Sequence, residues 1–192
     1  MHKKISQLIV EAVIENPTEM ENLGYQLSLC VNSSANIAMD GQLGAGKTTL
    51  VRGFVQSKGH DGSVKSPTYT FIESYFFSDL EIHHIDLYRL TSPEDIESLT
   101  IPEYIGHNSV LFIEWASNAS QYLARHIDIH ISIDINGLAR EVKMDAITKK
   151  GEQISVSYTH LRAHETLRYR VCRRQLEKKK GGRGGGGGGG GG

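Results

Sequence analysis

The stretch Ile37-Ala38-Met39-Asp40-Gly41-Gln42-Leu43-Gly44-Ala45-Gly46-Lys47-Thr48-Thr49-Leu50 decides how the rest of the chain is read. Ile37 to Met39 has the apolar character of a short buried strand. After Lys47 the period changes: Leu50, Val51, Phe54 and Val55 fall on one face of a helix that Gly59 ends. Between them, Gly41 to Thr48 satisfies Gly-x4-Gly-Lys-[Ser/Thr] in full. Glycines let a loop close around phosphates where side chains would collide, and successive backbone amides and the helix N-terminus then face the anion. Gly41, Leu43, Gly44, Ala45 and Gly46 are expected to form that backbone cradle. Lys47 is expected to reach the β- and γ-phosphates, with the Thr48 hydroxyl on Mg²⁺ and Thr49 on the α-phosphate.

Such a loop needs acids for the metal and a group to handle attacking water. Glu114 closes the apolar run Val110-Leu111-Phe112-Ile113, and a carboxylate at the end of a buried strand is costly unless paired or metal-bound. Asp86 holds the equivalent position after Ile82 to Ile85. His84 lies two residues before Asp86 on the same strand face and is read as packing against or orienting it; His83 faces the other way and is read as structural. Thr68, in the loop Lys65-Ser66-Pro67-Thr68, stands where nucleotide switches carry a phosphate-sensing threonine.

Outward from this centre, Leu8 to Ile14 fits a helix or a strand equally well. Thr18 and Glu21 have capping-box spacing before a helix through Leu23, Leu27 and Cys30. Thr68 to Phe77 and Ile82 to Tyr88 read as strands, and Ser92-Pro93 as the start of a short helix. Ile127 to Ile135 alternates strictly, and Ala139 to Ile147 is its hairpin partner across Asn136-Gly137. Strands alternating with helices, then a late hairpin, predict an α/β fold: a P-loop NTPase-like three-layer sandwich around a mixed β-sheet, ending in a β-hairpin.

The chain has 192 residues, 39% hydrophobic and 22% charged, enough for one domain over residues 1–154. No apolar run approaches the ~20 residues that cross a bilayer. The N-terminal residues lack a signal-peptide pattern, so a cytoplasmic protein is expected. Cys30 and Cys172 fit no disulfide or metal framework. From Ser155 onward nine Lys/Arg stand against two Asp/Glu, or +7; the totals of 21 and 22 leave −8 before it. A basic appendage ordinarily suggests nucleic acid. Here Val156 to Thr166 resembles the conceptual translation of a transposase sequencing adapter, and the closing glycines a run of G calls. Residues 155–192 are therefore read as non-native and disordered, and His160, His164 and the tail arginines are assigned no function.

Four segments in order carry a more specific likeness: Gly41 to Phe54, Val-Lys-Ser-Pro-Thr-Tyr-Thr (Val64 to Thr70), His-Ile-Asp-Leu-Tyr-Arg-Leu (His84 to Leu90) and Phe-Ile-Glu-Trp (Phe112 to Trp115). Together they resemble the TsaE (YjeE) family of bacterial ATPases of tRNA threonylcarbamoyladenosine synthesis, from about Pro17 to about Ile154. The resemblance implies ATP and Mg²⁺ as cofactors and TsaB and TsaD homologues as partners. It implies ATP hydrolysis in support of threonylcarbamoyl placement on adenosine 37, and tRNA met only through the complex. By motif position it implies Thr48 and Glu114 as magnesium ligands, Asp86 as an essential acid near the γ-phosphate and metal, and Ser66 to Thr68 as a switch. It also puts Trp115 beside the nucleotide, with Arg140 as a possible nucleotide contact. Gln42 departs from the family's usual aspartate; its side chain is expected to point away from the cradle. The oligomeric state is left open. Rival readings are a small-molecule kinase, disfavoured because only Arg89 lies between Ser57 and Ser120, and a GTPase, disfavoured for want of an Asn-Lys-x-Asp segment. A nucleotide-gated binding module without hydrolysis is the third.

Overall fold

The computed structural model describes residues 9–90 and 92–163. Seven strands form one mixed sheet: β1 (Ile9–Ile14), β2 (Ala35–Gly41), β3 (Ile72–Phe76), β4 (Glu81–Asp86), β5 (Ser109–Glu114), β6 (Ile129–Asn136) and β7 (Ala139–Ala146), ordered β1-β7-β6-β2-β5-β4-β3. β2 pairs in parallel with β5 and β6, and β4 in parallel with β5. β1, β7 and β3 run antiparallel to their neighbours at the two edges. The ambiguous segment before Pro17 is thus a strand, because β7 offers it an edge on which to pair.

Alternation along the central strands sorts the core into two layers. Ala38, Ile85, Leu111 and Ile113 face one side, packed with Leu87, Ile96, Ile101, Ala116 and Leu123. These come largely from α3 (Pro93–Ser98), two 3-10 turns (Ile101–Tyr104 and Ala116–Ala119) and α4 (Ser120–Leu123). Phe112 faces the other side, meeting Phe54 of α2 (Lys47–Ser57) edge to face at 4.9 Å. α2 lies against α1 (Pro17–Cys30), whose Met20, Leu23 and Leu27 are buried. The crossing is close because it is built on glycine: a Cβ on Gly53 would lie 1.9 Å from Glu21 O, and one on Gly24 2.0 Å from Leu50 O. The expected α/β sandwich is the observed fold.

Three local expectations need correction. The α1 cap is Asn16, not Thr18: Asn16 Oδ1 accepts from Glu19 N at 3.0 Å, Glu19 reaches back to Glu15 N at 2.8 Å, and Pro17 begins the helix. Glu21 instead pairs with Arg52. The strand expected from Thr68 starts at Ile72, because Phe71 N donates to Pro67 O and Phe71 takes a φ of 64°, closing a turn. Order also continues past Ile154. A helix α5 covers residues 149–163, capped by Thr148, whose Oγ1 accepts from Gly151 N and donates to Asp128 Oδ1 at 2.6 Å. Lys150 pairs with the other Asp128 oxygen at 2.8 Å. Ile154, Ser155 and Tyr158 are buried, so residues 155–158 belong with the compact unit that ends at Tyr158. The expectations for Cys172 and the glycine run fall outside the described residues.

Candidate functional site

Three parallel strands end at the site. Register sets Met39 and Asp86 on either side of Glu114, so β4 and β5 end level while β2 runs two residues further, to Gly41. Because side chains alternate, His84, Asp86, Phe112 and Glu114 all point to the α1–α2 side. The loop after β2 turns there with Gly41 at φ 154°, Gly44 at 75° and Gly46 at 109°, conformations that side chains resist. A Cβ on Gly41 would lie 2.4 Å from Ile133 O, whereas one on Gly44 would meet nothing within 4 Å. Gly41 is thus fixed by packing, and Gly44 by the backbone conformation of the loop. Gln42 is exposed.

One cleft of about 290 Å³ is lined by Leu43 to Thr49, Ser66, Thr68, Asp86, Tyr88, Glu114 and Trp115. Lys47, 4% exposed, donates its ammonium to Gly41 O at 2.7 Å and Gln42 O at 3.1 Å, and lies 4.1 Å from the Trp115 ring centre. Burial lowers its pKa below the ordinary lysine value, opposed by the charges of Glu114, Asp86 and Asp40. Thr48 Oγ1 donates to Glu114 Oε1 at 2.7 Å. Ser66 and Thr68 both donate to Asp86 Oδ2, at 2.6 and 2.7 Å, while Tyr88 N donates to Oδ1 at 2.9 Å. Leu43, 74% exposed, stands at the mouth, and Tyr88 packs on Trp115 at 4.9 Å.

The structure therefore gathers Lys47, Thr48, Thr49, Thr68, Asp86 and Glu114 into one cleft. It does not bring Arg140 there. Arg140 lines a neighbouring cleft of about 120 Å³ that shares Gly44, Ala45, Gly46 and Thr49 with the first. His84 also departs from expectation: its Nε2 meets Glu114 Oε1 at 2.8 Å across the β4–β5 pair, so it orients Glu114 rather than Asp86. Its other ring nitrogen, Nδ1, is buried without a hydrogen-bond partner. His83 is structural, held by Ser74 at 2.8 Å. The pairing of Asp40 with His130 at 2.8 Å, beside the loop, gave no sequence signal.

The donor set suits a hard cation: one hydroxyl and two carboxylates. Among the described residues no three or more His, Cys, Asp or Glu side chains form a metal cage. Mg²⁺ is typically held by one or two carboxylates together with phosphates and water.

A family model described as "Threonylcarbamoyl adenosine biosynthesis protein TsaE" matches residues 14–142. The chain belongs to the TsaE family. The TsaE protein of Haemophilus influenzae is 40% identical over 134 residues, covering 70% of this chain and 84% of that protein. The TsaE of Bacillus subtilis is 27% identical over 152 residues, 79% of this chain and 93% of that one. A crystal structure of Bacillus subtilis YdiB covers 80% of this chain and 96% of its own with a TM-score of 0.66; at 23% identity the likeness is one of fold. The TsaE match spans the loop, both acids and the β6–β7 hairpin through Val142, so every residue of the cleft lies inside it. No helix among the described residues is long and apolar enough to cross a membrane.

Proposed function

We propose that the protein is a Mg²⁺-dependent ATPase that supports TsaB and TsaD homologues in forming threonylcarbamoyladenosine at position 37 of tRNA. The observation that carries the reading is the convergence of Lys47, Thr48, Asp86 and Glu114 on a glycine-built cleft. Amides of residues 43 to 48 and the N-terminus of α2 would bind the phosphates. Lys47, which donates to two backbone carbonyls, would transfer its ammonium to the β- and γ-phosphate oxygens. Thr48 would offer a lone pair to the metal while its O–H still donates to Glu114, and His84 would hold Glu114 in that orientation. Asp86 would order water at the metal and the γ-phosphate. Its bonds to Ser66 and Thr68 tie that role to the position of the loop. Bound Mg²⁺ would neutralise charge developing on the transferred phosphoryl group. Arg140, in the adjoining cleft, would be available to the nucleoside end of ATP.

The test is phosphate release from ATP with and without a TsaB–TsaD pair. Release that rises with the pair and disappears in Lys47→Ala supports the reading. Failure of the unsubstituted protein to bind Mg-ATP in a titration would end it. ATP binding without release, even with the pair present, would mark a nucleotide-gated binding module.

A further inference from the structure

A second polar cluster adjoins the cleft and has no part in the roles above. Asp40 is the penultimate residue of β2, directly before Gly41. Its Oδ1 accepts from Ser117 N at 3.2 Å and from Ser117 Oγ at 2.9 Å; its Oδ2 accepts from His130 Nε2 at 2.8 Å. One carboxylate thus joins β2, the turn after β5, and β6.

The turn it holds starts at Trp115, whose φ of 59° places a bulky residue in the left-handed region. Such a conformation is strained for a bulky side chain and persists only where the surroundings impose it. Trp115 N donates to Met39 O at 2.9 Å, and Asn118 Nδ2 donates to Leu87 O at 3.0 Å. Met39 and Asp40, neighbours on β2, therefore grip the turn at Trp115 and at Ser117. Between those grips the indole lies over the Lys47 ammonium. We infer that Asp40 is a positioning residue for the cleft: by holding Ser117, with His130 as its second anchor, it fixes Trp115 against Lys47 and so sets where that ammonium waits. The inference rests on the reading of the cleft as a Mg-ATP site, but its structural half stands without nucleotide.

The charges around the pair support a bond that depends on pH. Burial works against ionised Asp40, but the bonds from His130 and Ser117 prevail and its pKa falls below 3.8. The bond to Asp40 raises His130 above 6.5 against burial; Asp145 assists and Lys143 opposes, both on β7. Lys47 also feels the Asp40 charge. A raised imidazole contributes fully below its unperturbed value and loses that contribution as pH rises through the folded one. A depressed carboxylate contributes above its unperturbed value. The charged pair is therefore whole from about pH 4 to beyond 6.5 and weakens above that.

Trp115 is the chain's one tryptophan, so its fluorescence reports the turn directly. In the full-length protein without nucleotide, emission is expected to change in one step as pH rises, with a midpoint above 6.5. The step should vanish in Asp40→Ala and in His130→Leu. Mg-ATP affinity should fall roughly tenfold in Asp40→Ala, the lower end of what residues supporting a site usually cost. His130→Gln, which can still donate to Asp40, should keep more of that affinity than His130→Leu and show no step. Should Asp40→Ala fail to fold, the two His130 variants carry the same comparison. Folded Asp40→Ala, or His130→Leu in its place, with unchanged emission and affinity overturns the inference. If the unsubstituted protein binds no ATP, the ATPase reading fails, and the Trp115 step alone decides for or against the clamp.

Discussion

Gly53→Ala is a small change with a large expected effect, because it acts where α2, the helix that follows the glycine loop, touches α1. The added Cβ would lie 1.9 Å from Glu21 O, 2.6 Å from Glu21 C and 2.7 Å from Glu21 Cα, all backbone atoms that cannot rotate away. Restoring an ordinary contact of 3.4 Å moves one helix from the other by ~1.5 Å. Alanine gains about 1 kcal/mol over glycine inside a helix. Against it, overpacking costs roughly 1–3 kcal/mol where side chains can adjust. Here the helices must part, and a gap of 0.5–1 Å forfeits about a quarter to a half of each contact's attraction. Met20, Leu23, Leu27, Leu50 and Phe54 share that loss. A net destabilisation of ~2 kcal/mol is expected, which for a domain of this size lowers the Tm by about 4–8 °C. Thermal and urea unfolding followed by circular dichroism measure it. Gly106→Ala is the control, since its Cβ would meet only Ser109 Cβ at 3.5 Å; it should be neutral or stabilising by up to about 1 kcal/mol. A Tm for Gly53→Ala equal to or above the parent's would refute the close crossing.

Asp86→Ala removes the acceptor of Ser66, Thr68 and Tyr88; ATP binding should stay within a few-fold while phosphate release stops, and normal release would remove Asp86 from the mechanism. His84→Ala should raise the Mg²⁺ concentration needed for half-maximal turnover roughly 10- to 100-fold, with His84→Gln recovering part of it. An unchanged Mg²⁺ dependence in both would show that Glu114 needs no such support. Tyr158→Ala, at a position 1% exposed, should cost about 3–5 kcal/mol in urea unfolding if α5 is part of the fold; a loss under about 1 kcal/mol would return residues from 155 onward to the status of a tail.

Much of this site is legible in the sequence because its parts obey local rules. The phosphate loop is a spacing between a strand and a helix, and the two acids are strand ends, so Lys47, Thr48, Asp86 and Glu114 announce themselves without knowledge of the sheet. His84 shows where that stops. Its strand face could be read from period two, but its partner depends on which strand lies alongside and in what register, and only the β4–β5 pairing places Glu114 within reach. Asp40 and His130 are 90 residues apart and meet because β6 runs next to β2. The α1 cap is a local feature: Asn16 caps the helix with Pro17 at its first position and Glu19 three residues on, whereas Thr18–Glu21 has the spacing but lies inside the helix. The burial of residues 155–158 escapes the sequence for another reason. Resemblance of a segment to an adapter says where its letters came from, whereas burial of Tyr158 depends on α5 being anchored by Asp128, which lies 30 residues earlier.

In the proposed reading, the charges of the cleft would give the metal a part in ATP binding itself, beyond any part in hydrolysis. Lys47 supplies one positive charge, while Asp86 and Glu114, each no more than 3% exposed, supply two negative ones. The side-chain hydrogen bonds a triphosphate would make here replace existing ones: Lys47 would leave two carbonyls, and any hydroxyl of Ser66 or Thr68 that turned to phosphate would leave Asp86. Exchanged bonds contribute little net free energy, typically about 1 kcal/mol each. Like charges at close range in a partly dry site oppose binding by several times that. Free ATP should therefore be repelled, and only a divalent cation between the phosphates and the two carboxylates reverses the sign. Titration with ATP in the presence of a chelator is expected to weaken binding at least 100-fold, and Glu114→Gln, which removes one repelling charge, should partly restore affinity under those conditions. Equal affinity with and without Mg²⁺ would mean that these carboxylates do not face the phosphates, and the catalytic geometry would have to be drawn again.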